Sequence, residues 1–405
     1  MQHGRSNNII YENQHGFLNR RSCETQLLEF QNDILRNLER NEQSDVLIMD
    51  FSKAFDKVSH PHLIKKLEFY GITGKTLKWI TDFLSGRNQC VVVEGEKSGQ
   101  LAVTSGVPQG SVLGPSLFLY YINDIAHNLQ STVRLFADDT IAYLTIKNLQ
   151  DATRLQEDIN KLEAWENKWL MEFHPQKCQV LSITKNRQVI EHPYTLHGHQ
   201  LEHTKLSKYL GVTISGDFRW SDHIDNITSK ASKSLGFLKR NIRISSTVIK
   251  ERAYKGLVRP LLEYSPCIWD PSTKKDINKI EMVQRRAARY VMNRYHNTSS
   301  VSSMLKELKW PSLQERRQHA RLTMMYKIVN NKVDCPGTLN RLHPSLRSTR
   351  HNNSKSFQIP ETSKNYIKES FIPRTIREWN HLPEEIVTAE SIDTFKARLN
   401  NIHKL

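Results

Sequence analysis

Hydrophobic positions in the first 215 residues follow two periods, one typical of helices and one typical of strands. Apolar residues recur at helical spacing over 21–41, and Ser22 is a plausible N-cap for that helix. Val46-Leu47-Ile48-Met49 is a short apolar run that ends in Asp50, which is typical of a buried strand. The same patterns predict helices at about 61–70, 73–85, 111–127 and 149–170, and strands at about 89–94, 101–105, 132–136, 140–145, 180–184 and 209–214.

Two pairs of these strands are expected to form hairpins. The pair 89–94 and 101–105 would be joined through a turn at Glu-Lys-Ser-Gly. The pair 132–136 and 140–145 flanks Ala137-Asp138-Asp139, so the tip of that hairpin would carry two acids.

Beyond Gly216 strand signals become few and helical spacing dominates. Helices are predicted at about 222–240, 246–258, 274–293, 312–331 and 391–401. Pro336, Pro344 and Pro360, among many Ser and Asn residues, predict a loop-rich segment at about 333–370. The expected fold class is therefore α+β over residues 1–215, followed by a mostly helical region.

The composition indicates a globular intracellular protein. The chain has 405 residues, of which 38% are hydrophobic and 25% charged, which is enough for two or three domains with real cores. The longest uncharged run, 98–123, is interrupted by two prolines, so we expect no membrane partner. No apolar leader segment follows Met1, and the five cysteines lie far apart, which fits the reducing nucleus or cytoplasm.

The positive charge is concentrated in the second half of the chain. Residues 1–215 hold 23 Lys and Arg against 24 Asp and Glu, whereas residues 216–405 hold 35 against 18. Within 226–259 nine basic residues accompany one acid, and several are three or four positions apart. Such a helical stripe predicts contact with a nucleic-acid backbone, and the alternative is an ordinary solvated face. The residues proposed for this contact are Lys230, Lys233, Lys239, Arg240 and Arg243.

Three carboxylates have the context of a metal site. Asp50 ends a predicted buried strand, and Asp138 and Asp139 lie at the tip of a predicted hairpin. If those strands are neighbours in one sheet, the three acids converge on a single edge. Oxygen ligands of this kind suit Mg²⁺, and two such ions can support phosphoryl transfer. The alternative is that the acids are simply solvated at strand ends, although Leu135-Phe136-Ala137 is an unusually apolar approach to an exposed turn.

Six segments in order make the sequence resemble the reverse transcriptases of non-LTR (LINE-type) retrotransposons. The segments are Gln14-His15-Gly16-Phe17 with Arg20-Arg21-Ser22 (finger segment), Asp50-Phe51-Ser52-Lys53-Ala54-Phe55-Asp56 (motif A), Ser105-Gly106-Val107-Pro108-Gln109-Gly110-Ser111 (motif B), Phe136-Ala137-Asp138-Asp139 (motif C), 169–178 (motif D) and Tyr209-Leu210-Gly211-Val212 (motif E).

The resemblance implies roles for individual residues. Asp50, Asp138 and Asp139 match the catalytic, metal-binding acids of the family, and Lys177 matches the motif D lysine, a candidate general acid. The positions expected to contact the incoming nucleotide are Phe51, Phe55, Gln109 and Gly110, with Phe55 as an aromatic gate against the ribose 2′-hydroxyl. Arg20 and Arg21 of the finger segment are expected to contact nucleic acid.

The resemblance also implies an architecture and partners. We expect a right-hand polymerase with partial fingers and a palm with an antiparallel sheet over 1–215, a helical thumb over 216–300, and a helical tail over 301–405. The activity would be RNA-directed DNA polymerisation with Mg²⁺, for which Mn²⁺ could substitute. The partners would be an RNA template, a DNA primer, dNTPs and a separate or upstream endonuclease.

Departures from the family pattern leave two other readings open. Leu18 stands where relatives usually carry a basic residue, and His174 where many carry Asn. Relatives also have finger strands ahead of the finger segment and usually an endonuclease, so we expect this chain to be the C-terminal part of a longer reading frame. One alternative is therefore a catalytically silent nucleic-acid-binding remnant. The other is a relative of the intron-encoded maturases, which share the palm.

Overall fold

The chain folds into two compact units. A computed structural model describes residues 2–7, 9–243, 246–296, 298–345 and 353–402. The first unit contains Met1–Gln26 and Arg40–Leu210, and the second contains Leu27–Glu39 and Gly211–Leu405. The boundaries of fingers, palm, thumb and tail remain predictions.

The first unit combines helices with short and long strands. Its helices are α1 (Gln2–Ser6), the start of α2 (Cys23–Glu39), α3 (His60–Phe69), α4 (Gly74–Leu84), α5 (Leu113–Ile122) and α6 (Leu149–Trp169). Its strands are β1 (Gln43–Met49), β2 (Asn88–Gln89), β3 (Val92–Val93), β4 (Glu96–Lys97), β5 (Leu101–Ala102), β6 (Thr132–Phe136), β7 (Asp139–Ile146), β8 (Gln179–Ile183), β9 (Thr195–Leu196), β10 (His199–Gln200), β11 (Glu202–His203) and β12 (Leu206–Tyr209).

A five-stranded sheet lies at the centre of the first unit, in the order β11-β8-β1-β7-β6. β1 is antiparallel to both β7 and β8, and β6 is antiparallel to β7. In the β1–β7 pair, Gln43 lies opposite Ile146 and Met49 lies opposite Thr140. The end of β1 and the β6–β7 turn therefore meet at one end of the sheet.

The central strand β1 is buried along nearly its whole length, which explains its uninterrupted apolar run. Its side chains share one hydrophobic core with the inner faces of α5 and α6. Burial of each large aliphatic or aromatic side chain in such a core stabilises the fold by roughly 1.5–3 kcal/mol. The shared core includes Leu47, Ala142, Leu117, Tyr121, Leu155, Ile159 and Leu162.

Helix α6 matches the predicted helix at about 149–170, and local signals set its ends. The Asn148 side chain caps its N-terminus by accepting a hydrogen bond from the Asp151 amide at 3.1 Å. At the other end Leu170 takes a left-handed conformation with φ 57° and stops the helix.

Three sequence predictions for residues 1–215 need correction. The predicted strand 209–214 is interrupted, because Leu210 and Gly211 both have positive φ, and the chain resumes as β13 (Val212–Ser215). The turn near 94 lies at Glu94-Gly95 between β3 and β4 rather than at Glu-Lys-Ser-Gly. Helix α5 is shorter than the predicted 111–127: it begins at Leu113, where the Ser111 hydroxyl accepts a hydrogen bond from the Gly114 amide, and it ends at Ile122.

The second unit is mostly helical, and the expected α+β class with an antiparallel sheet followed by a helical region is confirmed. Besides β13 and the rest of α2, it contains α7 (Ser221–Asn241), α8 (Thr247–Leu257), a 3₁₀ turn (Arg259–Leu262), α9 (Pro266–Trp269), α10 (Lys274–Met292), α11 (Val301–Glu307), α12 (Leu313–Val329), α13 (Pro336–Leu339), α14 (Asn365–Lys368), α15 (Phe371–Asn380), α16 (Glu384–Val387) and α17 (Ile392–Ile402). Helix α10 packs against α7, α8 and α11, and α12 packs against α9, α15 and α17.

The predicted loop-rich segment 333–370 contains the short helices α13 and α14, and its residues 346–352 lie outside the described part of the chain. In the described ranges, no helix is both long enough and apolar enough to cross a bilayer.

A buried ionic cluster joins three helices of the second unit. The carboxylate of Asp270, just after α9, has a side chain only 3% exposed. It accepts hydrogen bonds from Nε of Arg317 at 2.6 Å and from Nε of Arg321 at 2.9 Å, both on α12. Arg374 of α15 lies 3.4 Å from the same carboxylate. Because a buried carboxylate needs partners of opposite charge, this cluster fixes α9, α12 and α15 together.

Candidate active site

The three predicted metal-binding acids lie at one end of the five-stranded sheet. Met49 pairs with Thr140, so the next residues along the two strands, Asp50 and Asp139, are adjacent in register. Asp138 lies in the two-residue turn that joins β6 to β7, since Phe136 pairs with Asp139. Residues 88 positions apart in the sequence are thus brought to one place by strand pairing.

The acids in this cluster perturb one another electrostatically. Desolvation by the surrounding protein, together with the charges of Asp138 and Asp50, raises the pKa of Asp139 to about 6. Burial also raises the pKa of Asp138, and the charge of Asp50 adds to that rise. Lys208 acts in the opposite direction on Asp139. Lys208 is not among the residues predicted from the sequence, where its only signal is its place beside Tyr209 at the start of motif E.

Lys177 of motif D lies at the same end of the sheet. Its ammonium group is 3.1 Å from Oδ2 of Asp50, and both side chains are open to solvent. Two backbone hydrogen bonds hold this segment to the end of β1: the His174 amide donates to the Asp50 carbonyl at 2.8 Å, and the Ser52 amide donates to the Glu172 carbonyl at 2.8 Å. Lys177 is therefore positioned by the backbone rather than by chance contact.

The carboxylates have the donor chemistry of a magnesium site but are not gathered into one. Across the described ranges, no three His, Cys, Asp or Glu side chains lie close enough together to hold a metal ion. Asp50 is instead paired with Lys177, while Asp138 and Asp139 carry raised pKa values. Three oxygen donors with mutual repulsion fit a divalent cation, which would relieve that repulsion.

The motif B loop is attached to motif A by backbone hydrogen bonds. The Gly106 amide donates to the Val58 carbonyl at 2.7 Å, and the Val107 amide donates to the Phe55 carbonyl at 2.9 Å. Gly106 has φ +88°, and a Cβ there would lie 2.8 Å from the Cα of Asp56, so the close approach requires glycine.

The two predicted nucleotide contacts of motif B lie on the exposed part of that loop. Nε2 of Gln109 donates to Oδ1 of Asp56 at 3.1 Å, and Gly110 is open to solvent with φ +80°. A glycine with free space around it leaves the backbone accessible to a ligand.

The two aromatic residues of motif A have different surroundings. Phe55 is half-buried and stacks on Phe118 with ring centroids 4.3 Å apart, and the Phe17 ring lies nearly perpendicular to it with centroids 6.2 Å apart. Phe51 is only 5% exposed and stacks on Phe173 in the core. Because the Phe51 side chain is buried against Phe173, its position does not support the predicted contact with a nucleotide.

The two arginines of the finger segment differ in exposure. Arg21 is turned toward the protein, where Nη1 donates to the backbone carbonyls of Glu12 and, at 2.7 Å, of Gln14. This gives Arg21 a structural role that the sequence did not reveal. Arg20 is exposed, at a left-handed φ of 66°.

The basic stripe is narrower than the sequence suggested. Lys230, Lys233, Arg240 and Arg243 are exposed on or just after α7, whereas Lys239 is half-buried with its ammonium 5.9 Å from the centre of the Tyr295 ring. Burial and the charge of Arg286 lower the pKa of Lys239.

Farther along the stripe, three of the nine basic residues are buried or form ion pairs within the protein. Lys250 is buried, Lys255 pairs with Glu251 at 2.5 Å, and Arg259 lies 3.5 Å from Glu263. Arg252 is exposed on α8, and the exposed cations Lys230, Lys233, Arg240 and Arg243 lie on or just after α7.

Comparison with known proteins assigns the family. The family model described as "Reverse transcriptase (RNA-dependent DNA polymerase)" matches residues 2–214, more than half of the chain. This range contains the sheet, the acidic cluster and all six motifs. The chain belongs to the reverse transcriptase family.

Curated relatives identify the branch of that family. The chain is 29% identical over 322 residues to the "RNA-directed DNA polymerase from mobile element jockey" of Drosophila melanogaster, covering 76% of this chain and 34% of the relative. It is 28% identical over 302 residues to the "Probable RNA-directed DNA polymerase from transposon BS" of the same organism, covering 70% and 33%. The predicted resemblance to non-LTR retrotransposon reverse transcriptases is confirmed. The chain spans about a third of the length of these relatives.

Among solved structures, apo telomerase from Candida tropicalis is similar with a TM-score of 0.40 and 11% identity, covering 73% of this chain and 48% of that chain. A TM-score of this size does not establish a shared overall fold, so the family assignment rests on the sequence match.

Proposed function

We propose that the chain is an RNA-directed DNA polymerase module that acts in retrotransposition. The reaction would be attack of a primer 3′-hydroxyl on the α-phosphate of a dNTP, with release of pyrophosphate. The observation that carries the proposal is the strand register that brings Asp50 beside Asp139, with Asp138 in the adjoining turn. Family membership supports the same activity.

Asp50, Asp138 and Asp139 would hold the divalent ions, Mg²⁺ or Mn²⁺. When bound, such ions activate the attacking hydroxyl and stabilise charge on the leaving pyrophosphate. The carboxylates would have to move toward one another from their present positions, and Asp50 would have to leave Lys177. Lys177 would then be free to hold the proton that the pyrophosphate takes up on leaving.

Phe55, Gln109 and Gly110 would form the nucleotide pocket. The Phe55 ring is held between Phe17 and Phe118, so its face has a fixed place from which to exclude a 2′-hydroxyl. The Gln109 amide and the free space at Gly110 lie on the adjoining loop.

The exposed cations of α7, with Arg20, would contact the RNA template and the DNA primer. Lys230, Lys233, Arg240 and Arg243 fall three to seven positions apart and would meet successive phosphates. An endonuclease, expected from the resemblance, would act together with the polymerase.

The decisive experiment is primer extension on poly(rA)/oligo(dT) with Mg²⁺ or Mn²⁺. We expect dNTP incorporation by the wild type and none by Asp138→Ala or Asp139→Ala, while nucleic-acid binding measured by fluorescence anisotropy changes little. Asp82→Ala, which removes an exposed carboxylate on α4, is the matched control and should remain active. Extension by both aspartate variants would remove the two-metal assignment.

The separation of the three carboxylates in the described part of the chain favours a second candidate function, that of a catalytically silent nucleic-acid-binding protein. On that reading the wild type would bind the primer-template with salt-dependent affinity but incorporate no dNTP with either ion. The same assays therefore decide between the two candidates.

A further inference from the structure

The finger segment lies against the strand that leads to the acidic turn. The backbone of 13–15 pairs with Leu135 of β6: the Leu135 amide donates to the Asn13 carbonyl at 3.0 Å, and the His15 amide donates to the Leu135 carbonyl at 2.8 Å. The segment thereby extends the edge of the sheet two residues before Ala137.

The side chain of Gln14 reaches from this segment into the turn. It is 2% exposed, and its Oε1 accepts hydrogen bonds from the Gly16 amide at 2.7 Å and from the Ala137 amide at 2.9 Å. Ala137 has a left-handed φ of 57°, a conformation that a non-glycine residue adopts only where its surroundings impose it. Gln14 supplies the hydrogen bond that satisfies this amide.

Gly16 makes the contact close enough to work. A Cβ at this position would lie 2.2 Å from the Ala137 backbone nitrogen and 2.9 Å from the Phe136 carbonyl carbon. These are backbone atoms that no side-chain rotation can remove. Any larger residue would therefore push the turn away from the segment.

We propose that Gln14 and Gly16 are positioning residues, which fix the backbone of the turn that presents Asp138 and Asp139. They touch no substrate and act only through the placement of the two carboxylates. The finger segment thus supports the proposed metal site through its contacts with the backbone of the turn. The expected effect on metal binding rests on the proposed function, whereas the contact between Gln14 and Ala137 does not.

Three variants of the full chain test this role. Gln14→Leu removes the acceptor and keeps the size of the side chain. Gln14→Glu keeps an oxygen at the same reach, and it loses no donated bond, because Nε2 of Gln14 has no hydrogen-bond partner among the described residues. Gln43→Leu is the matched control: Gln43 is equally buried and binds the Ile190 backbone, but it starts β1 at the end opposite Asp50.

We expect Gln14→Leu to raise the Mg²⁺ concentration for half-maximal primer extension by about tenfold or more, because its carboxylates lose their placement. Because its added carboxylate would itself change the metal dependence, Gln14→Glu is compared by amide hydrogen exchange in 136–140, which should stay near the wild-type rate. Gln43→Leu should lower the melting temperature without changing the metal dependence. Equal metal dependence in Gln14→Leu and Gln43→Leu would overturn the proposal, as would accelerated exchange of the 136–140 amides in Gln14→Glu.

A measurement without catalysis separates this inference from the proposed activity. Amide hydrogen exchange in 136–140 should accelerate about tenfold in Gln14→Leu and stay near the wild-type rate in Gln43→Leu. Gly16→Ala should accelerate the same amides and serves if Gln14→Leu does not fold. If exchange accelerates in Gln14→Leu but the wild type incorporates no dNTP, the contact is supported and the polymerase proposal is rejected. Unchanged exchange would reject the contact.

Discussion

Replacing Asp139 by Asn should stabilise the fold while it removes a proposed metal ligand. The pKa of Asp139 rises from 3.8 to about 6 in the folded chain, which would correspond to about 3 kcal/mol if the group were fully shielded from water. Asp139 is exposed, so solvent screening reduces the penalty to about 1 kcal/mol. Asparagine keeps the shape and removes the charge that Asp138 and Asp50 repel.

The stability difference between Asp139→Asn and the wild type should depend on pH. An acid whose pKa is raised by folding binds its proton more tightly in the folded than in the unfolded chain, so its ionisation destabilises the fold. The penalty is absent below about pH 3.8, grows as the pH rises, and is complete above about pH 6. Asp139→Asn should therefore be more stable than the wild type at pH 8 and about equal to it near pH 3.5.

Urea unfolding followed by tryptophan fluorescence measures the difference. At a slope of about 2–3 kcal/mol per molar urea, 1 kcal/mol moves the midpoint up by about 0.4 M at pH 8. Asp82→Asn, on α4 away from the cluster, should leave the midpoint unchanged. Added Mg²⁺ should raise the midpoint of the wild type more than that of Asp139→Asn, because a bound ion relieves the same repulsion. A lower midpoint for Asp139→Asn at pH 8 would refute the electrostatic reasoning.

Three further substitutions probe other parts of the chain. Gly106→Ala places a Cβ 2.8 Å from the Cα of Asp56 at a backbone φ of +88°. We expect the free energy of unfolding in urea to fall by about 2 kcal/mol and the KM for dNTP to rise. An unchanged urea midpoint would contradict this prediction. Asp270→Asn leaves Arg317 without its charge partner and should cost about 3–5 kcal/mol, whereas a loss below about 1 kcal/mol would show that the cluster relaxes. Phe55→Ala should lower the preference for dNTP over rNTP, measured as the ratio of kcat/KM, by about tenfold, and an unchanged ratio would remove the gate.

Much of the local structure could be predicted because its causes are local. The apolar run before Asp50 predicted a buried strand, and helical spacing predicted a helix at about 149–170, close to the observed Leu149–Trp169. The predictions failed where a few backbone angles decide the outcome. Positive φ at Leu210 and Gly211 splits one predicted strand into two, and no period of hydrophobicity reports such a change.

The sequence by itself determined the family, the identity of the acids and the strands that carry them, because these depend on residue type and short-range order. Tertiary structure alone decided which groups meet. Strand register places Asp50 beside Asp139, packing buries the side chains of Phe51 and Lys250, and carbonyl contacts give Arg21 a structural role. The contact between Gln14 and the Ala137 amide belongs to the same class. Such contacts join residues far apart in the chain, and their energies depend on distance and desolvation, which a linear pattern does not encode.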